Sequence, residues 1–115
     1  MATYKFPDHI KGDTFKGTSF TVLVNTVALD LTGASIKMSL KRNNKPETVV
    51  EKTFSTEDSS IVITTPLLGK FEIVKQIVNI PAFNYVYDIQ ITTQGGDVLT
   101  YISGTWLILQ DITVG

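Results

Sequence analysis

With 115 residues, a net charge of −1 and 43% hydrophobic against 18% charged content, the chain holds enough material for one domain with its own core. It has no cysteine and one histidine, which excludes a disulfide framework, a thiolate zinc site and a thiol nucleophile. Lys and Arg are spread along the chain, so neither nucleic acid nor an anionic membrane is an expected partner.

The first eight residues lack the basic-then-apolar pattern of a signal peptide. Residues 1–11 read as an arm preceding the fold, with a single domain over 12–115; the alternative is that the arm is the first strand of its own domain. Tyr4, Phe6 and Ile10 are the arm's apolar members and the candidate partner contacts. On this reading, removal of residues 1–8 leaves the domain's melting temperature unchanged and abolishes assembly.

Beyond the arm, runs rich in Thr, Val and Ile predict strands over about 18–25, 35–42, 47–54, 60–64, 69–77, 85–93, 97–103 and 105–110. Ile36, Met38 and Leu40 point one way and Lys37, Ser39 and Lys41 the other. Tyr85, Tyr87, Ile89 and Ile91 share a face in the same manner. Asn43–Pro46 reads as a hairpin connection, Thr65–Gly69 and Asn79–Pro81 as breaks, and Gly95-Gly96-Asp97 as a two-residue hairpin turn. Gly104 marks a turn or a bulge within one long strand. Helix is confined to a single turn near Thr56–Ser59. The longest apolar runs, such as Trp106–Leu109, are far too short to cross a bilayer. About seven to eight short strands at this spacing predict an all-β, immunoglobulin-like antiparallel sandwich.

A catalytic apparatus is hard to assemble from these residues. His9 sits in the arm, a poor place to hold a base in register, and reads as an exposed loop histidine. Glu57 and Asp58 are neighbours in a polar loop, whereas Glu47, Glu51 and Glu72 read as solvated strand faces rather than a facing carboxylate pair. Asp13, Asp97 and Asp111 carry oxygen ligands suited to calcium, without the dense spacing of a dedicated loop. The strip Lys37, Lys41, Arg42, Lys45 and Lys52 lacks interleaved aromatics and reads as solvated. Tyr85, Tyr87, Tyr101 and Trp106 are expected in the core. The expectation is therefore a non-enzyme, with no catalytic residue, cofactor or metal.

Four segments taken in order carry a resemblance: Gly12-Asp13-Thr14-Phe15, Asp30-Leu31-Thr32-Gly33-Ala34, Tyr85-Val86-Tyr87-Asp88-Ile89-Gln90, and Gly104-Thr105-Trp106 leading to Asp111-Ile112-Thr113. Together they resemble small β-sandwich domains of phage virion proteins, especially the N-terminal domain of upper baseplate proteins of lactococcal-type siphophages. The resemblance spans about residues 10–113 and departs at Asn84, where the family often has glycine. Asn tolerates the same left-handed backbone. It implies a virion structural protein, a tail or baseplate adaptor, made in the host bacterial cytoplasm. Its partners would be other virion proteins in a homo-oligomeric or symmetric assembly. Capsid decoration or a head-fibre base is the alternative within that class, and a cell-surface immunoglobulin-like adhesion module the alternative outside it. No receptor-binding or catalytic residue carries over. Gly33 is implied as a structural turn, with Asp30 bonding the local backbone.

Overall fold

The strand patterns that alternate most cleanly form the middle of the molecule. A computed structural model describes residues 2–110; Asp111, Ile112 and Thr113 of the fourth segment lie outside them. The strands are β1 (Ala2–Thr3), β2 (His9–Ile10), β3 (Thr14–Phe15), β4 (Thr18–Thr21), β5 (Leu23–Val24), β6 (Val27–Ala28) and β7 (Ser35–Lys41). There follow β8 (Lys52–Ser55), β9 (Ile61–Thr65), β10 (Lys70–Ile73), β11 (Gln76–Ile77), β12 (Phe83–Thr92) and β13 (Val98–Leu109). The one helical element among the described residues is a 3₁₀ turn, Pro66–Leu68. Thr56–Ser59 is a turn and not helix.

The fold is all-β. In the larger sheet the order is β1–β13–β12–β7–β8, with β2 also on β13; the smaller is β4–β10–β9. Two short pairs complete the set. β3–β11 continues the β4–β10 ladder in one register, with Phe15 facing Gln76 and Thr18 facing Ile73. The interruption falls where Gly17 lies against the Ile73 carbonyl.

Both sheets turn their apolar sides to one core. Ile36, Met38 and Leu40 of β7 and Tyr85, Tyr87, Ile89 and Ile91 of β12 meet Phe20, Phe71 and Ile73 of the smaller sheet. The period of 2 in these strands is what segregates the faces. Trp106 is fully buried at the centre, its ring stacked 4.4 Å from that of Phe6.

That position of Phe6 corrects the reading of residues 1–11 as a separate arm. Ala2–Thr3 and His9–Ile10 pair in parallel with β13, Ala2 opposite Ile102 and Ile108 opposite His9. Between them Tyr4 and Phe6 donate their N–H groups to the Ser103 and Thr105 carbonyls at 3.0 and 3.1 Å. Phe6 is 0% exposed, and Tyr4 packs against the core. The segment is an edge strand of its own domain. Phe6 and Tyr4 thus belong to the core, whereas Ile10 stays exposed.

Gly104 is neither a turn nor a bulge. It pairs directly with Tyr87, and the register slip in this ladder lies instead beside Tyr101, between the Ile89–Ile102 and Gln90–Thr100 pairs. A side chain at Gly104 would overlap the Tyr4 carbonyl oxygen. The missing Cβ lets that carbonyl turn inward, where the Tyr87 hydroxyl donates to it at 2.5 Å.

Other differences have local causes. The 47–54 strand begins only at Lys52, because Asn43 Oδ1 accepts from the Lys45 N–H and the Thr48 hydroxyl and ties 43–48 into a turn. The 18–25 strand ends at Thr21, and a separate hairpin follows. The β12–β13 connection spans three residues between Thr93 and Asp97, with Gly96 at φ +93°, a type I turn plus bulge rather than a two-residue loop. Asn84 is an ordinary strand residue opposite Leu107.

Candidate functional site

Each tyrosine expected in the core lends its hydroxyl to a backbone carbonyl. Tyr85 donates to Pro81 at 2.6 Å, Tyr87 to Tyr4, and Tyr101 to Thr21 at 2.7 Å. The rings fill apolar space while the polar tips satisfy carbonyls that the ladders leave unpaired. Burial raises all three phenols above their ordinary 10.0; for Tyr87 the neighbouring Tyr4 adds to it, and for Tyr85 Glu51 does. A group whose folded-state value is raised contributes stability that is complete below its unfolded value and lost as pH climbs toward the folded one. Thermal melts are therefore expected to hold level up to about pH 10 and then fall, with tyrosinate absorbance appearing in step with unfolding. Tyrosinate absorbance that rises fully while the fold persists would show the hydroxyls to be free.

The other candidate residues scatter. His9 is buried, not exposed, and its Nε2–H donates to the Asp13 carbonyl at 3.0 Å, with the ring edge-on to Phe15 and Trp106. Its part is to fasten the edge strand to the start of β3. Asp13 and Asp97 lie towards opposite ends of β13, and Asp111 is outside the described residues. Among the described residues, no three His, Cys, Asp or Glu side chains gather as a metal site would require.

Asp58 accepts from the Ser60 N–H and hydroxyl, and Asp30 from those of Thr32, which holds both carboxyls below the usual range, the hydroxyl contributing most. Asp30 thereby fastens the turn that Gly33 completes at φ +72°. Glu51 pairs with Arg42 at 3.7 Å, and Lys52 lies over the Phe54 ring, so the basic strip is dispersed.

Two surface features bear on function. The first is a hollow of about 380 Å³ on the outer face of the larger sheet, lined by Ser39, Lys41, Val86, Asp88, Ser103 and Thr105. Its rows follow from register: Ser39–Asp88–Ser103 and Lys41–Val86–Thr105 lie side by side across three strands. Short hydroxyl side chains flank one carboxylate and one ammonium. Such a face can accept hydrogen bonds through Asp88 and donate them through Lys41 and the hydroxyls.

The second feature is an apolar end. After Val22 the chain makes a tight hairpin, Leu23 opposite Ala28 and Val24 opposite Val27. Its two turn residues, Asn25 and Thr26, have φ of +51° and +67°, the pattern of a type I′ turn. Thr26 is β-branched and so strained there. The hairpin base is bonded to the segment around the 3₁₀ turn: Val22 N–H to Gly69 and Leu31 N–H to Pro66. Gly69 presses against the Val22 and Leu29 backbones with no room for a side chain. The hairpin carries exposed Leu23, Val24 and Val27, and the 3₁₀ turn exposed Leu67 and Leu68, with Leu67 at 72% and Val27 at 67%. Residues 22–29 and 65–69 contain no charged side chain.

Of the proposed partner contacts, Tyr4 and Phe6 are inside the fold and Ile10 is exposed on β2, away from this end. Sequence reasoning misses the hairpin because Leu23-Val24 reads as the end of the 18–25 strand, and Asn25-Thr26 lacks the glycine that signals a two-residue turn. No protein-family model matches the chain, and no curated protein sequence matches it.

Proposed function

We propose that the protein is a non-enzymatic phage virion structural protein that works by packing against neighbouring virion proteins, as a tail or baseplate adaptor. The observation that carries this reading is the charge-poor apolar end, since interface cores are depleted of charge and patches of this kind mark contact sites. The resemblance of the four segments supports it further. Tyr85 faces Trp106 and Tyr87 faces Gly104 across one ladder, and Phe15 lies 5.0 Å from the Trp106 ring. Three of the four segments thus describe a core and not a ligand site, which suits a resemblance of fold and assembly role.

We read the architecture as an immunoglobulin-like sandwich. The strand order of both sheets and the parallel pairing of β1 with β13 favour it. So does Tyr85, whose hydroxyl reaches back to the Pro81 carbonyl just before its strand, the arrangement called a tyrosine corner.

Mass spectrometry of purified virions, with copies counted per particle, tests the functional reading. A few to tens of copies is the expected result and places the protein in the tail; hundreds place it on the capsid. Absence from virions overturns the proposal and favours an adhesion module, which the same strand order would serve.

A further inference from the structure

We infer that the domain is a tension-bearing link, in which the edge strand of residues 2–10 and β13 form a shear clamp against a pull on the two ends of the chain. This property concerns the load the fold can carry and does not depend on the virion reading.

Strand direction gives the first reason. β1 and β2 run parallel to β13, with Ala2 opposite Ile102 and Ile10 opposite Leu109. The described chain therefore enters at one end of this ladder and leaves at the other, about 25 Å away along a strand rising ~3.3 Å per residue. Pulling those ends apart slides one strand along its neighbour. Every bond of the ladder then lies across the pull and is loaded at once, whereas peeling from one end loads them singly. Load also passes directly from the first strand to the last, so the strands between them are bypassed until the ladder breaks.

The bonds themselves are the second reason. Tyr4 and Phe6 donate to Ser103 and Thr105, and Lys11 donates to Leu109 at 2.8 Å. Between the Ala2–Ile102 and His9–Ile108 pairs the edge strand takes seven steps where β13 takes six. The slip falls beside Pro7, which has no N–H to give, and leaves paired stretches on both sides of it.

An interlock against sliding is the third reason. A Cβ at Gly104 would overlap the Tyr4 carbonyl oxygen, so that carbonyl sits in a notch of β13. The next residues on the same side of β13 are Ile102 and Trp106, both bulky and buried. Moving the edge strand either way along β13 drives the carbonyl out of its notch towards one of them. The Tyr87 hydroxyl holds the same carbonyl from β12, and the Phe6 ring is stacked on Trp106. Sliding must break all of these together.

Optical tweezers on single full-length molecules test this. The chain has no cysteine, so one introduced thiol defines an internal handle site. One pair of handles is attached at the two termini. The other joins the N-terminus and Asp97→Cys, an exposed position just before β13 begins. Asp97 lies at the same end of the ladder as Ala2, so this second geometry peels the edge strand away. Rupture under force reads the unfolding barrier and not the equilibrium stability. Terminal pulling is expected to need a severalfold higher force at the same loading rate, and to release the whole chain in one step. Tyr87→Phe, which frees the notched carbonyl, should lower the terminal-pulling force. Tyr101→Phe loses a comparable bond, to Thr21, from a residue that precedes the Ile102 pairing and so lies outside the loaded stretch; it should leave that force unchanged. Equal forces in the two geometries, inner strands that unravel ahead of the ladder, or equal effects of the two tyrosine variants each overturns the inference.

Discussion

Deleting residues 1–8 is expected to unfold the domain at ambient temperature. The segment removed contains β1, the backbone pairing of Tyr4 and Phe6 with β13, and the Phe6 ring itself. Loss of a large core aromatic alone costs about 3–5 kcal/mol. The whole margin of a small domain is about 5–15 kcal/mol, and the deletion also bares the β13 edge and leaves the Tyr87 hydroxyl without its acceptor. Far-ultraviolet circular dichroism with a thermal melt decides the matter. A truncated protein that melts within a few degrees of the full chain would mean that the edge strand is dispensable. Phe6→Ala, which keeps the backbone pairing, should lie between the two.

Trp106→Ala is expected to destabilise by about 3–5 kcal/mol. The indole lies at 17° to Phe6, stacks 6.1 Å from Phe54, and meets Phe15 and His9 edge or tilt-wise. These neighbours sit in separate strands or between them, so the walls cannot move together to refill the space, and the cavity term is felt in full. Trp106→Phe is expected to cost markedly less. The Trp106 Nε1–H is buried without a hydrogen-bond partner, so the smaller ring forfeits volume but no bond. Urea denaturation followed by circular dichroism separates the two variants. A Trp106→Ala curve that overlays the wild type would contradict the burial.

What is legible in the sequence, and what is not, follows from which residues obey period 2 in long antiparallel strands. Ile36, Met38 and Leu40, and the run Tyr85 to Ile91, announce β7 and β12, and these do form the buried face. Tyr4, Phe6 and His9 are misplaced by sequence reasoning for a physical reason. Their strand is split near Pro7, which has no N–H to donate. It also pairs in parallel with a partner about a hundred residues away, so no local turn reveals it. Gly104 reads as punctuation because sequence cannot show a carbonyl approaching from the first strand. The apolar end is invisible for the opposite reason: Leu23, Val24 and Val27 have the composition of core strand, and only the fold leaves them outside it.

The pairing of β1 with β13 also sets a timetable for biogenesis. Ala2 can pair only once Ile102 has been made, and His9 only once Ile108 has. At about 5–20 residues per second, translation leaves the opening strand unpartnered for roughly 5–20 s. During that interval Tyr4 and Phe6 are open hydrophobic side chains on a nascent chain whose core cannot close. Contacts this distant in sequence also slow the search for the native pairing. Closure of the core therefore follows synthesis of β13, and until then Phe6 lacks the Trp106 ring that covers it.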